Sequence, residues 1–333
     1  MIVDQPLLDA GAALYGVDPG SYTAMGGTDG AVYGCRLHNR EYVMKFVPME
    51  KQNIPAYFEK LEFVHYLSDH GIPIAMPVPS KNGQHIEQIE GDKELYLVTL
   101  APRAVGRHPS LRIASEWNDN LFTCWGQVMG KMHALTQQYP RWENNPDSSS
   151  SAPPTRIEGW REEHKFFEEW SQEPEITAKW MELYPLLEAL PRDRSTYGLV
   201  HNDLHQMNFF YNPYSLGVNC LTIIDFDVCA YNWFLADIAI AAYHAAANGS
   251  KTSLLQRQMQ TRAFLNPFLR GYKLEYTLDD SWLEHLPLFM KYREILLYIA
   301  MTNSMPEEER QQPSNKRWLG DKRIRTLKTE PII

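Results

Sequence analysis

The chain has 333 residues, 44% of them hydrophobic and 22% charged, and this length allows a sizeable core divided between about two lobes. The formal net charge of −9 argues against a general nucleic-acid binder, which needs basic patches to neutralise phosphates. No apolar run reaches the ~18 residues of a membrane span, and residues 1–14 contain no lysine or arginine, unlike a signal or transit peptide.

The first hundred residues predict a small antiparallel sheet with two helices. Residues 5–15 have the spacing of a short amphipathic helix, and residues 55–69 that of a second helix, which Gly71 ends. Strands are predicted at residues 31–37, 42–47 and 95–100 and near Gly83-Gln84. We expect a sheet of five strands in all.

After Pro102 the pattern changes from strands to helices. Helical spacing recurs in five stretches, residues 116–136, 160–190, 236–247, 254–272 and 286–301. One apolar strand is predicted at 220–225, an exposed loop at 144–155, and a polar surface segment after Pro306. We therefore predict an N-terminal lobe of residues 1–100 and a larger, mainly helical lobe of residues 101–333.

The four cysteines are Cys35, Cys124, Cys220 and Cys229. They form no C-x-x-C pair and are too few for a disulfide scaffold. We expect buried, reduced thiols in a cytoplasmic protein that binds neither nucleic acid nor membranes.

The strongest chemical signal is the polar segment HNDLHQMN at residues 201–208, followed by TIIDFD at 222–227. Phosphoryl transfer from ATP needs a carboxylate that orients the attacking hydroxyl and accepts its proton, and oxygen ligands that hold magnesium on the phosphates. Asp203 and Asn208 have the spacing of one loop that offers both groups to one site. Asp225 follows an apolar strand, which can aim its carboxylate at the metal.

These motifs resemble the aminoglycoside phosphotransferase and choline kinase superfamily, including its homoserine-kinase-like branch. The resemblance extends over residues 22–301 and implies a two-lobed, protein-kinase-like α+β fold that uses ATP and Mg²⁺. It implies that Asp203 is the catalytic base and that Asn208 and Asp225 bind magnesium. His201 would be a structural anchor, while the role of His205 stays open.

Two further aspartates follow from the same resemblance. Asp227 would line the acceptor site or support the metal. Asp237 would bond the backbone of the catalytic loop rather than take part in the reaction.

The sequence also departs from protein kinases. Asn202 replaces the arginine of H-R-D, His205 stands where a lysine is expected two residues after the catalytic aspartate, and Asp227 replaces the glycine of D-F-G. These differences favour a small-molecule acceptor over a protein acceptor.

Residues 41–47 predict a strand with one inward lysine. Lys45 shares a face with Val43 and Val47 by the period of two, and a lysine on such a face indicates phosphate contact, as in kinases. Its carboxylate partner would come from the following helix, where Glu59 and Glu62 are both candidates. We prefer Glu59, because it lies on the helix face that turns inward.

Other ATP contacts follow from position in the chain. The turn at residues 26–30, with Gly27 and Gly30, resembles the hairpin that covers the phosphates. The backbone groups of Thr99 and Ala101 occupy the place of the hinge strand, where they would pair with adenine.

We therefore expect ATP-dependent transfer of the γ-phosphate to a hydroxyl of a small, cationic molecule, such as an amino alcohol, aminoglycoside or amino acid. The net charge of −9, Asp227 and the acidic stretch at 162–169 favour a cation. Two alternatives stay open: a serine/threonine protein kinase, and a metallohydrolase with ligands from His201, Asp203, His205 and Asp225.

Overall fold

The structure is a computed structural model, and it describes residues 3–26, 31–92, 94–140, 157, 159–160, 167, 169–247 and 253–328. The chain forms two compact units, each with its own internal contacts. The first comprises Met1–Val105 with Thr222–Ile224, and the second Gly106–Leu221 with Asp225–Ile333. No helix among the described residues is long and apolar enough to cross a membrane.

The first unit is built on a five-stranded antiparallel sheet, as predicted. Its strands are β1 (Thr23–Gly26), β2 (Ala31–Leu37), β3 (Arg40–Met49), β4 (Glu87–Glu90) and β5 (Leu95–Pro102). They lie in the order β1-β2-β3-β5-β4. The predicted strand near Gly83-Gln84 is wrong, because Gly83 has a left-handed φ of 78° in a turn that Ser80 closes, and the strand begins at Glu87.

Two helices accompany this sheet, α1 (Gln5–Tyr15) and α2 (Ile54–Asp69), both where the sequence predicts them. Asp4 caps α1 by accepting the Leu7 N–H at 2.9 Å, and Gly16 ends it in the left-handed conformation. The helix buries its apolar residues against one face of the sheet. That face includes Met44 and Phe46, both fully buried.

The second unit is mainly helical. Its helices are α3 (Asp119–Gln138), α4 (Pro174–Glu188), α5 (Phe234–Ala242), α6 (Leu254–Tyr272), α7 (Leu286–Ser304), α8 (Glu307–Arg310) and α9 (Pro313–Leu327). Its short strands are β6 (Tyr197–Val200), β7 (Phe209–Tyr211) and β9 (Ala230–Trp233), and β6 pairs with β9. Strand β8 (Leu221–Ile223) begins in this unit with Leu221, and its other two residues belong to the first unit. β8 is shorter than the predicted strand 220–225, because Asp225 has a left-handed φ of 67°.

The predicted helix 160–190 is interrupted. Residues 171–173 are not helical, and α4 starts afresh with Pro174 in its first turn, where the missing N–H costs no hydrogen bond. Much of the earlier part, and the predicted loop 144–155, lie outside the described residues.

The tail after Pro306 forms α8 and α9, and α9 buries two of its residues, which the prediction of a polar surface segment did not include. Lys322 and Thr326 on α9 are fully buried, and the Lys322 ammonium lies 4.4 Å from the centre of the Tyr243 ring. Arg325 pairs with the buried Glu294 at 3.0 Å. A sequence pattern marks charged residues as exposed, because it does not show the ion pair or cation–π contact that compensates the burial of their charge.

The cysteines divide into two groups. The sulfur atoms of Cys124 on α3 and of Cys220 lie next to each other, with the Cα atoms 6.5 Å apart. Cys35 and Cys229 are buried and reduced, as predicted.

Helices α3 and α6 are in backbone contact through glycines. A Cβ atom at Gly126 would lie 1.8 Å from the Phe268 carbonyl oxygen, and one at Gly271 would lie 1.8 Å from that of Thr123. Only glycine therefore permits this spacing between the helices.

We expect Gly126→Ala to lower the free energy of unfolding by about 1–3 kcal/mol or more, because the two helices must separate to admit the methyl group. The matched control is Gly320→Ala on α9, where no atom lies within 4 Å of the new Cβ. That change should stabilise the protein by up to ~1 kcal/mol through helix propensity. Urea denaturation of both variants measures the difference, and equal effects would contradict the close contact.

Candidate active site

The segment at residues 201–208 connects β6 to β7 in the second unit. Strand β6 is buried along its whole length, so the segment starts from a fixed point. Asn202 then takes a left-handed φ of 66°, which turns the chain so that Asp203 is partly exposed. Asparagine tolerates this conformation better than most residues, and its Oδ1 accepts a bond from Asn232 Nδ2 at 3.0 Å.

The carboxylate of Asp237 fixes the start of this segment. It lies in the first turn of α5, fully buried, and accepts the backbone N–H groups of His201 at 3.1 Å and Asn202 at 2.7 Å. His133 Nε2 lies 3.4 Å from the same carboxylate, and Tyr272 bonds the other nitrogen of that ring at 2.7 Å. The structural role predicted for Asp237 is confirmed.

Asp203 is held by three side chains. Arg293 on α7 donates to Oδ1 through Nη2 in a short, charge-assisted hydrogen bond. Asn208 Nδ2 donates to Oδ2 at 3.1 Å and to the Asp203 carbonyl at 2.8 Å, so the five-residue spacing brings these two residues together as predicted. His205 Nε2 lies 3.4 Å from Oδ2.

A second histidine, His244, completes the group. It lies in a π-helical turn (Tyr243–Ala247) that follows α5, and its ring stacks on His205 with centroids 4.5 Å apart. His244 Nε2 lies 2.9 Å from Arg293 Nη2 and 3.3 Å from Nε. Sequence reasoning missed both Arg293 and His244, since neither lies in a recognised motif.

Hydrogen bonding determines the protonation of His244 and the tautomer of the neutral His205 ring. A guanidinium can only donate, so His244 Nε2 is an acceptor and carries no proton. Burial, with Arg293 beside it, holds the pKa of His244 well below its ordinary value, which keeps the ring neutral. His205 Nδ1 accepts the Met207 N–H at 3.1 Å, so in the neutral ring the proton is on Nε2, facing Asp203.

The Asp203 carboxylate stays ionised. Burial acts to raise its pKa, but the Arg293 charge and the His205 hydrogen bond together outweigh burial and hold the pKa far below the ordinary range. Asp203 and Arg293 therefore form an ion pair of zero net charge, with two imidazoles against it.

The remaining candidates of the second unit lie close by in the chain. His201 is buried and packs its ring 4.5 Å from that of Phe226, as expected of a support residue. Asp225 is exposed and Asp227 partly exposed.

Asn208 is suited to act as a ligand of magnesium. Its Nδ2 is used on Asp203, whereas no hydrogen bond among the described residues involves its Oδ1, which leaves the amide oxygen available. An amide oxygen from Asn208 and a carboxylate from Asp225 are the hard oxygen donors that Mg²⁺ prefers.

The metallohydrolase alternative fits the structure poorly. Among the described residues, the group whose ligand atoms lie close enough to hold a metal is Asp203, His205 and His244, which includes neither His201 nor Asp225. Arg293 already donates to two of these three residues. A resident guanidinium thus supplies the positive charge that a metal would bring.

The first unit contains the residues that were predicted to contact the nucleotide. Lys45 on β3 is flanked by Val32 on β2 and Thr99 on β5, so the three side chains share one face of the sheet, with Ala101 further along it. This face is opposite to the one that α1 covers. Lys45 is partly buried there.

The helix α2 distinguishes the two glutamate candidates by exposure. Phe63 and Leu67 are buried, and Glu59, which precedes them by one and two turns, is partly buried. Glu62 is exposed. Helix α2 therefore has the inward face on which the preference for Glu59 over Glu62 was based. Gly27, Gly30 and residues 162–166 and 168 of the acidic stretch lie outside the described residues.

Comparison with known proteins agrees with this architecture. A profile described as "Phosphotransferase enzyme family" matches residues 24–276. The amicoumacin kinase of Bacillus subtilis (strain 168) is 28% identical over 317 residues, which cover 92% of this chain and 89% of that protein.

Solved structures are similar over nearly the whole chain. An amicoumacin kinase in complex with AMP-PNP, Ca²⁺ and Ami superposes with a TM-score of 0.83 at 27% identity, covering 99% of this chain and 95% of that one. A microcompartment-associated aminopropanol kinase gives 0.66 at 16% identity, covering 96% and 94%, which shows the fold alone. The kinase-like α+β fold predicted from the sequence is confirmed.

Replacing Asp237 by asparagine tests its role as the anchor of this segment. The amide retains one acceptor oxygen, so one buried N–H loses its partner, at a cost of about 1–3 kcal/mol. We expect a lower melting temperature and a fall in turnover, because Asp203 follows the two anchored residues directly. Asp279→Asn is the control: Asp279 also accepts two bonds, both from Ser281, but it is exposed. Unchanged turnover in Asp237→Asn would contradict the anchoring role.

Proposed function

The chain belongs to the phosphotransferase enzyme family and is an ATP-dependent small-molecule kinase, and we propose that it phosphorylates a hydroxyl of a small, cationic acceptor with Asp203 as the catalytic base. The likeness to an amicoumacin kinase over 92% of the chain carries the proposal. The name of this relative supports amicoumacin, or a molecule like it, as the acceptor.

Asp203 would orient the acceptor hydroxyl and receive its proton. The acceptor oxygen forms a bond to the γ-phosphorus, while the bond from that phosphorus to the β,γ-bridging oxygen breaks and its electron pair leaves with ADP. The low pKa of Asp203 makes it a weak base, so its main contribution is orientation, with proton transfer late in the step. A loose transition state suits this order of events, because the nucleophile needs little activation.

The nucleotide would be held by the residues of the first unit. We assign Lys45 to the phosphates, with Glu59 as its partner, and Thr99 and Ala101 to the adenine through their backbone groups. Gly27 and Gly30 would cover the phosphates. The shared face of Lys45 and Thr99 supports this assignment, since one face of the sheet then carries contacts to both ends of the nucleotide.

We assign the divalent cation to Asn208 and Asp225, and propose Mg²⁺ as the physiological ion. When bound, it neutralises charge on the phosphate oxygens. Ca²⁺ and AMP-PNP together in the related amicoumacin kinase structure support a metal–nucleotide site. Because the donor is ATP, we expect the enzyme to act in the cytoplasm.

A cationic acceptor requires negative charge at the site. Arg293 neutralises Asp203, so Asp203 by itself attracts no cation. Asp225 is assigned to the divalent cation, so the partly exposed Asp227 would supply this attraction, together with the net charge of −9. His201 and His205 would support the loop rather than touch the acceptor.

Asp203→Asn tests the catalytic base. The substitution keeps the size of the side chain but replaces one accepting carboxylate oxygen with a donating NH₂ group. It therefore removes the proton acceptor and one accepted hydrogen bond, and we expect turnover to fall by about 10²–10⁴-fold with nearly unchanged nucleotide affinity. The matched control is Asp119→Asn, which also removes an aspartate paired with an arginine, Arg270 at 3.5 Å, but on the surface. Steady-state kinetics with the accepted substrate measures both. Near-normal turnover in Asp203→Asn would refute the assignment.

A panel of acceptors tests the substrate class. We expect ATP consumption with amicoumacin, amino alcohols or aminoglycosides, weaker at high salt because screening reduces the attraction of a cation. Neutral sugars and a basic protein serve as comparison acceptors in a coupled ADP-release assay. Turnover limited to these comparison acceptors would refute the cationic acceptor and leave the kinase assignment intact.

A further inference from the structure

The cation nearest to the catalytic base comes from outside the catalytic loop. His205 occupies the position where protein kinases place a lysine, two residues after the aspartate, and its ring is neutral when its proton is on Nε2. Arg293, 90 residues further along the chain, bonds to Asp203 instead. The site therefore has a fixed positive charge, supplied by helix α7.

The guanidinium is held from two sides. His244 accepts from Nη2 and Nε, and Asp203 accepts from Nη2. The Arg293 side chain is 9% exposed, so the surrounding residues restrict its movement. No hydrogen bond to Nη1 occurs among the described residues, so this donor remains available to a ligand.

The geometry of the reaction brings the phosphoryl group to this arginine. A hydroxyl oriented by Asp203 attacks from about 3–3.5 Å, so the γ-phosphorus comes close to the groups that contact the carboxylate. Negative charge spreads over the equatorial oxygens of the transferred group in the transition state. A guanidinium beside Asp203 is then within reach of one of those oxygens.

We propose that Arg293 is a catalytic residue that donates through Nη1 to the transferred phosphoryl group, in place of the lysine missing from the loop. His244 is a positioning residue, which keeps Nη2 and Nε occupied and so directs Nη1. The inference rests on the proposed function, because it requires Asp203 to hold the acceptor hydroxyl.

If the ion pair of Asp203 and Arg293 had a structural role only, a different experimental result would be expected. Such a pair would affect stability and the placement of Asp203. It would not change how tightly the enzyme binds a mimic of the phosphoryl group in the transition state. ADP with aluminium fluoride is such a mimic. We expect the wild-type enzyme to bind ADP more tightly when aluminium fluoride is present.

The decisive variants are Arg293→Gln, Asp203→Asn, and the double variant that carries both changes. Arg293→Gln should lower kcat by about 10²–10³-fold, the span for losing one donor to developing charge. KM for ATP and the affinity for ADP alone should stay within about threefold of the wild-type values. The tightening by aluminium fluoride should persist in Asp203→Asn and be lost in Arg293→Gln and in the double variant.

The double variant also guards against a folding failure, because it replaces an ion pair with two neutral amides and leaves no unpaired buried charge. Arg270→Gln, at the exposed pair with Asp119, is the control and should behave as wild type. Persistent tightening in the double variant would overturn the inference, as would a wild-type enzyme that phosphorylates acceptors without any tightening. Absence of ATP-dependent turnover in the wild type would overturn the proposed function, and this inference with it.

Discussion

The buried carboxylate of Asp237 is the interaction on which the site depends. It receives two consecutive backbone N–H groups, those of His201 and Asn202, and so fixes the direction in which the chain leaves β6. Its place in the first turn of α5 adds the favourable end of the helix dipole to those two bonds. Asp203 follows directly, so its position is set by a group that takes no part in the reaction.

The charge of the site follows from a second pairing. Arg293 neutralises Asp203, and His244 remains neutral because the guanidinium donates to it. A carboxylate with a cation beside it can bind a hydroxyl and a phosphoryl group together. Selectivity for the proposed cationic acceptor would then come from carboxylates other than Asp203.

The C-terminal helix contributes to this site indirectly. Consecutive residues of the π-helical turn, Tyr243 and His244, bond to consecutive residues of α7, Glu294 and Arg293. Glu294 also pairs with Arg325 on α9. The chain after Pro306 thus helps to hold α7, the helix that carries the guanidinium.

The sequence by itself determined the change from a five-stranded sheet to a mainly helical region and the local spacing of Asp203 and Asn208, because periodicity and short motifs depend on neighbours in the chain. It also indicated the inward face of Glu59, from Phe63 and Leu67 alone. It did not reveal Arg293, His244 or the packing of α9, whose partners lie far away along the chain. Only the tertiary structure decided those contacts, because a charged residue reads as exposed until the group that compensates its burial is known.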